Sequence, residues 1–217
     1  MQRIFKTLAL VTLALAAPNG GLADDRFLFD GSWREQGFLR LFSNDYQQAG
    51  ARLDIVSDGT VSMLWRATDD LSHPVRSAQW DWQVREGVRP TDLTIKGGDD
   101  RNLALYFVFV DPDRARALRG RNARRILREQ SALALIYVWG GDHPNGAILP
   151  SPYSPKLRTK VLRQAQTGDF RESVDLAADF RAAFGRAPGT LVGLAVSADS
   201  DDTNGRIVGA IANLALE

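Results

Sequence analysis

Cysteine is absent from all 217 residues. That count excludes disulfides, thiolate nucleophiles and thiolate zinc sites, although an oxidising compartment permits disulfides without requiring them, so export stays open. Histidine is almost as scarce: His73 stands beside Pro74 and His143 beside Pro144. Transition-metal sites usually recruit several histidines or cysteines, so metal catalysis of that kind is not expected. The GxSxG turn of serine hydrolases, the HExxH zinc signature and the phosphate-binding P-loop are missing too. Nor does charge of one sign dominate, with 27 basic against 26 acidic residues. Nucleic-acid affinity rests on a strong basic excess, and this balance argues against such a partner.

Long apolar runs are lacking after the N-terminus. The N-terminus itself opens with Arg3 and Lys6, continues through an apolar stretch from Leu8 to Ala17, and reaches Gly21, Leu22 and Ala23 before Asp24 and Asp25. This is the layout of a cleavable export signal, with processing expected after Ala23. Its apolar part is shorter than the roughly 20 residues that span a bilayer. The expected product is a periplasmic or secreted chain, residues 24–217, forming one domain with a core large enough to need no staples.

What is present reads as strands. Trp33, Phe38, Leu39 and Leu41 anchor a first, irregular one. Leu53 and Ile55 alternate with polar neighbours, as do Val61, Met63 and Trp65, and Asp58–Gly59 between them suits the positive φ of a tight turn; residues 51–67 therefore predict a β-hairpin. In the next run Ala78, Trp80, Trp82 and Val84 share one face, the pattern of a half-buried strand. The two tryptophans suit a sandwich interior better than a sugar-stacking platform, since apolar neighbours share their face. Residues 102–110, 132–139 and 191–196 are apolar on both faces and need cover on both. A second sheet covers one side, and helical segments are candidates for the other.

Asp111–Pro112 is a helix opening. Ala115, Leu118, Ala123, Ile126 and Leu127 follow at helical spacing, among Arg114, Arg116, Arg119, Arg121, Arg124, Arg125 and Arg128. The arginines fit a solvated helix face, with an anionic polymer or envelope surface as the alternative. Residues 140–155 have loop composition; 157–163 and 169–176 return to strand. A short helix over Ala177–Phe184 stops at Gly185, and the last strands, 190–198 and 206–216, flank SADSDDTNG. The succession predicts a mainly β protein, an antiparallel two-sheet β-sandwich of jelly-roll type with one or two short helices.

The acidic turns are the remaining candidates for a site. Asp199, Asp201 and Thr203 alternate, with Asp202 and Asn204 between them and Gly205 closing the turn. Such hard oxygen ligands suit calcium, though the pattern is not an EF-hand and an ordinary structured turn explains it as well. Asp99, Asp100 and Arg101 precede the central strand, and Asp100 with Arg101 is expected to form an ion pair or ligand clamp near the 199–205 loop. Paired carboxylates also serve glycoside hydrolysis when held at the right separation.

Several stretches in order resemble a bacterial exported family known as a domain of unknown function, number three thousand and forty-seven. They are GDDR at Gly98–Arg101, YVW at Tyr137–Trp139, Pro152–Tyr153, DFRAAFG at Asp179–Gly185 and DSDDTNG at Asp199–Gly205. The chain departs from the family at Phe170 and Val174, where a tryptophan and an arginine are usual. The resemblance implies an exported β-sandwich similar to galactose-binding and carbohydrate-binding modules and offers no catalytic residues. The expected function is a non-catalytic module binding a carbohydrate or cell-envelope component, with Asp99, Asp100, Arg101, Tyr153, Asp199, Asp201, Thr203 and Asn204 as ligand contacts. A carboxylate-dependent polysaccharide hydrolase and a structural or assembly partner are the alternatives.

Overall fold

The computed structural model describes residues 25–37, 43–68 and 74–217. The expected leader and its cleavage point lie outside them, as do Phe38, Leu39, Leu41 and His73. In chain order the first strands are β1 (Asp25–Arg26), β2 (Arg34–Gly37), β3 (Asp45–Ala49), β4 (Arg52–Asp58) and β5 (Val61–Ala67). β6 (Ser77–Glu86) and β7 (Arg101–Val110) lead to helices α1 (Pro112–Leu118) and α2 (Ala123–Leu127). β8 (Leu133–Trp139), β9 (Ile148–Pro150), β10 (Leu157–Arg163) and β11 (Gly168–Asp175) follow, then α3 (Leu176–Phe184), β12 (Thr190–Asp199) and β13 (Arg206–Leu216).

The strands form two stacked sheets. One runs β11–β6–β13–β4–β3 with β1 beside β13, and the other runs β2–β5–β12–β7–β8–β10–β9. Their pairing is antiparallel except between β8 and β10. Parallel neighbours need a long crossover, which the loop over 140–156 and β9 supply.

Alternation along the central strands builds two apolar layers at once. From β7, Leu103, Leu105, Phe107 and Phe109 face the other sheet, while Ala104, Tyr106, Val108 and Val110 face outward. Leu135, Tyr137 and Trp139 of β8 point inward and Ala134, Ile136 and Val138 outward. Trp80 and Trp82 belong to the interior, with ring centroids 5.6 Å from Tyr137 and 5.5 Å from Trp139 respectively. Each large apolar side chain fully buried this way contributes about 1.5–3 kcal/mol. Outside the seven-stranded sheet, Leu118 of α1 and Ala123 and Ile126 of α2 close over part of the second layer.

Three local expectations are corrected. β4 and β5 do not pair: β4 lies between β3 and β13, and β5 between β2 and β12. The turn at Asp58–Gly59, with Gly59 at φ 59°, therefore crosses from one sheet to the other. Leu53 and Ile55 reach the common core as expected, whereas Met63 and Trp65 of β5 face the outer layer and Leu64 between them faces inward. The arginine-rich segment is two helices, broken at Gly120 with φ 65°, so the described residues hold three short helices. Asp111 makes no capping hydrogen bond and instead pairs with Arg186. By contrast α3 is capped at both ends, by Asp175 accepting from Ala178 N at 2.8 Å and by left-handed Gly185.

Candidate functional site

β12 enters its turn where β7 begins, and the ladder sets Arg101 opposite Asp199. Arg101 Nη1 donates to Asp199 Oδ2 at 3.0 Å, to the Asp99 carbonyl at 3.0 Å and to Asp99 Oδ2 at 3.3 Å. Its Nη2 donates to the Tyr106 hydroxyl at 2.8 Å. Tyr153 closes the cluster from the 151–156 loop, its hydroxyl donating to Asp99 Oδ1 at 2.7 Å. Asp99 and Asp199 are both buried.

Asp100 does not pair with Arg101, contrary to expectation. Neighbours on extended backbone point to opposite sides, and Asp100 turns toward the 200–205 turn. It accepts from Asp202 N at 3.2 Å, Thr203 N at 2.6 Å and Thr203 Oγ1 at 2.5 Å. Asn204 takes a left-handed φ of 49° in that turn, beside the second sheet-crossing turn: Gly59 N donates to the Gly205 carbonyl at 2.9 Å and Ser200 N to the Thr60 carbonyl at 3.1 Å. Thr203 and Asn204 thus shape the corner, and neither lines the cleft described next.

The Arg101 cluster stands at one end of a cleft of about 370 Å³ on the outer face of the seven-stranded sheet. Asp99, Arg101, Tyr153, Asp199, Asp201 and Asp202 contribute to its lining. The rest is mainly apolar: Val61, Met63 and Trp65 from β5, Tyr106 and Val108 from β7, Ala134 and Ile136 from β8, and Ala195 from β12, with Ala123 and Leu127 from α2. Trp65 lies against Gly193, where a Cβ would collide with its ring. Its Nε1 donates to the Arg121 carbonyl at 3.3 Å, tying the helical segment to the sheet. None of these apolar residues stood out as a site in the sequence. The signal that finds them is the apolarity of β7, β8 and β12 on both faces, since α1 and α2 cover only part of the outer one.

Burial pushes the Asp199 carboxyl up to about 7, against the lowering effect of Arg101, and the charges of Asp100, Asp99 and Asp202 add to the rise. Desolvation outweighs the ion pair here because one Asp199 oxygen, Oδ1, is buried without a hydrogen-bond partner. Tyr153 is raised to about 12 by burial and by donating to Asp99. The described carboxylates that converge as a metal-like group are Asp100, Asp201 and Asp202, each offering one oxygen within 4.8 Å of the others. Asp199 is held by Arg101, and the Thr203 hydroxyl is given to Asp100. His143 lies apart, beside Asp92 and Asp142. Phe170 and Val174 are on β11 of the other sheet and line no part of this cleft.

No helix among the described residues is long and apolar enough to cross a membrane. A family model described as "Protein of unknown function (DUF3047)" matches residues 31–215. Comparison with curated proteins finds no match. Among solved structures, a loop-swap mutant of Xyn11A from Necallimastix patriciarum is similar over 92% of this chain and 97% of its own, with 12% identity and a TM-score of 0.41. The xyloglucanase domain of NopAA, a type three effector from Sinorhizobium fredii, in complex with cellobiose, is similar over 85% of this chain and 92% of its own, with 10% identity and a TM-score of 0.45.

Proposed function

The chain belongs to the DUF3047 family, and for this member we propose a non-catalytic binding module of the cell envelope, exported by its N-terminal segment, whose ligand is amphipathic. The apolar body of the ligand lies along the sheet, and a hydroxyl-rich head, such as a sugar, meets Asp99, Arg101, Asp199 and Tyr153. The observation that carries this reading is the segregation of the cleft: its charged lining gathers at one end and the remainder is mainly aliphatic and aromatic. Small-ligand sites are typically concave and apolar with a few polar groups that fix orientation. Carboxylates accept from hydroxyls and a guanidinium donates to them, which suits a polyol head. A free glycan would set its hydroxyls against Met63, Val108 and Ile136 with nothing to bond them, a costly desolvation.

Titration with octyl glucoside, with glucose alone as control, tests the reading. Binding of the alkyl glycoside, absence of binding by glucose, and loss of binding in Ala195→Met, which fills the floor, are the expected results. Absence of alkyl glycoside binding, or binding indifferent to Ala195→Met, overturns it.

A second reading rests on Asp199. A buried carboxyl raised to about 7 has the proton affinity of a general acid at neutral pH, and Asp99 shares the same guanidinium nitrogen with it. On that reading the chain is a polysaccharide hydrolase. Reducing-sugar release from a polysaccharide panel that disappears in Asp199→Asn would support it, and inactivity across the panel would remove it.

A further inference from the structure

We propose that the mouth of the cleft is a docking surface for an anionic lipid bilayer. The inference rests first on arginines that the ligand reading does not use, and then on apolar side chains at the rim, of which Leu127 and Tyr153 are shared with the cleft. Seven arginines occur between Arg114 and Arg128 with no acidic residue among them, and all seven are exposed. The opposite side of the same segment, Leu118, Ala123 and Ile126, is buried on the sheet, so the basic side is presented outward. Arg114 pairs with Glu129 at the end of the segment, and the run as a whole keeps a strong basic excess.

Charge alone would suit any polyanion; the apolar side chains in the same place select a membrane. Among the described residues the exposed large hydrophobics are Leu28, Ile95, Leu127 and Tyr153. Leu127 and Tyr153 both line the cleft. Lys156 Nζ donates to the Glu129 carbonyl at 2.7 Å, which holds the loop carrying Tyr153 against the end of α2. The turn carrying Ile95 reaches Tyr153 from the other direction, with Lys96 Nζ 5.6 Å from the ring centroid. Apolar tips bordered by lysine and arginine match an interface where the tips enter the acyl boundary and the cations meet phosphate. The cleft then opens toward the medium that holds amphipathic molecules.

Flotation of the protein, as its producing cell processes it, with phosphatidylcholine vesicles and with phosphatidylcholine–phosphatidylglycerol vesicles tests the proposal. Variants share the N-terminus of the wild type, so differences between them report on the patch. Each basic residue near an anionic surface is worth about fivefold in affinity, so the triple variant Arg116→Gln, Arg125→Gln, Arg128→Gln, which removes three of them, should lose about 100-fold. Ile95→Ser with Leu127→Ser should weaken vesicle binding several-fold and leave binding to heparin, a soluble polyanion, unchanged. Urea midpoints near that of the wild type establish that the variants fold.

Failure to float with the anionic vesicles, or flotation indifferent to the triple variant, overturns the proposal. So does a serine double variant that floats as well as the wild type, which would make the patch a general polyanion site. Octyl glucoside titration of the triple variant keeps the two readings apart: unchanged glycoside binding with lost flotation is the expected pattern. Flotation without any glycoside binding in the wild type would uphold the docking surface and remove the cleft reading alone.

Discussion

Arg101 and Asp199 face one another across the β7–β12 ladder, Nη1 to Oδ2 at 3.0 Å, and the same nitrogen reaches Asp99 Oδ2 at 3.3 Å. One cation thus holds two buried carboxyls at one end of an apolar cleft. Removing a member of a buried ion cluster leaves the others uncompensated, at a cost of about 3–5 kcal/mol. Arg101→Met should therefore lower the urea midpoint strongly at neutral pH. The loss should shrink in acid, where the orphaned carboxyls can take up protons.

Asp199 should impose a pH dependence of a definite sign. Its carboxyl moves from an ordinary 3.8 to about 7 on folding, so the folded state holds the proton more tightly. The stability this contributes is fully present below about pH 4 and is lost as pH rises through about 7, with a slope of up to about 1.4 kcal/mol per pH unit. Unfolding free energies of wild type and Asp199→Asn, measured from acid to neutral pH, should show that decline in the wild type only. Parallel curves would contradict it.

Asp100 should act as a structural acceptor. Its two oxygens receive three donors from Asp202 and Thr203, and it is fully buried. Asp100→Ala strands those donors and should cost about 2–4 kcal/mol, while Thr203→Val, which removes one of them, should cost about 1 kcal/mol. Since these donors already engage Asp100, melting midpoints with calcium and with chelator should coincide. A calcium-dependent rise would assign Asp100, Asp201 and Asp202 a metal-binding role instead.

Gly193 should be needed for the cleft wall. A methyl group there would overlap Trp65 Cη2 and Cζ2, so Gly193→Ala must displace the ring from the sheet. Overpacking of this kind costs about 1–3 kcal/mol. Loss of stability, a shift in tryptophan emission and weaker octyl glucoside binding are expected together.

Much of the strand pattern was legible because side-chain alternation is a local property. Ala78, Trp80, Trp82 and Val84 announced a strand with one buried face, and all four are buried. Gly185 announced the end of α3 through its left-handed conformation. Asp58–Gly59 announced a turn correctly, but the choice between pairing β4 with β5 and sending them to different sheets is not written in the turn. Each strand alternates in the same way against any partner. Strand parity alone separates Asp100 from Arg101, yet which of the two meets Asp199 depends on the register of β12.

From residues alone came the β class, the turns, and the demand of β7, β8 and β12 for cover on both faces. Those follow from neighbours in the chain, whose apolar and polar spacing is visible without coordinates. Tertiary structure decided which sheet each strand joins, that α1 and α2 cover the outer face only in part, and that Arg101 meets a carboxylate 98 residues away. Ladder hydrogen bonds are made by backbone groups that nearly every residue carries, so the sequence along one strand does not name its partner. The partner is settled by burying all the apolar faces together, and the cleft with its charged end is a consequence of that global solution.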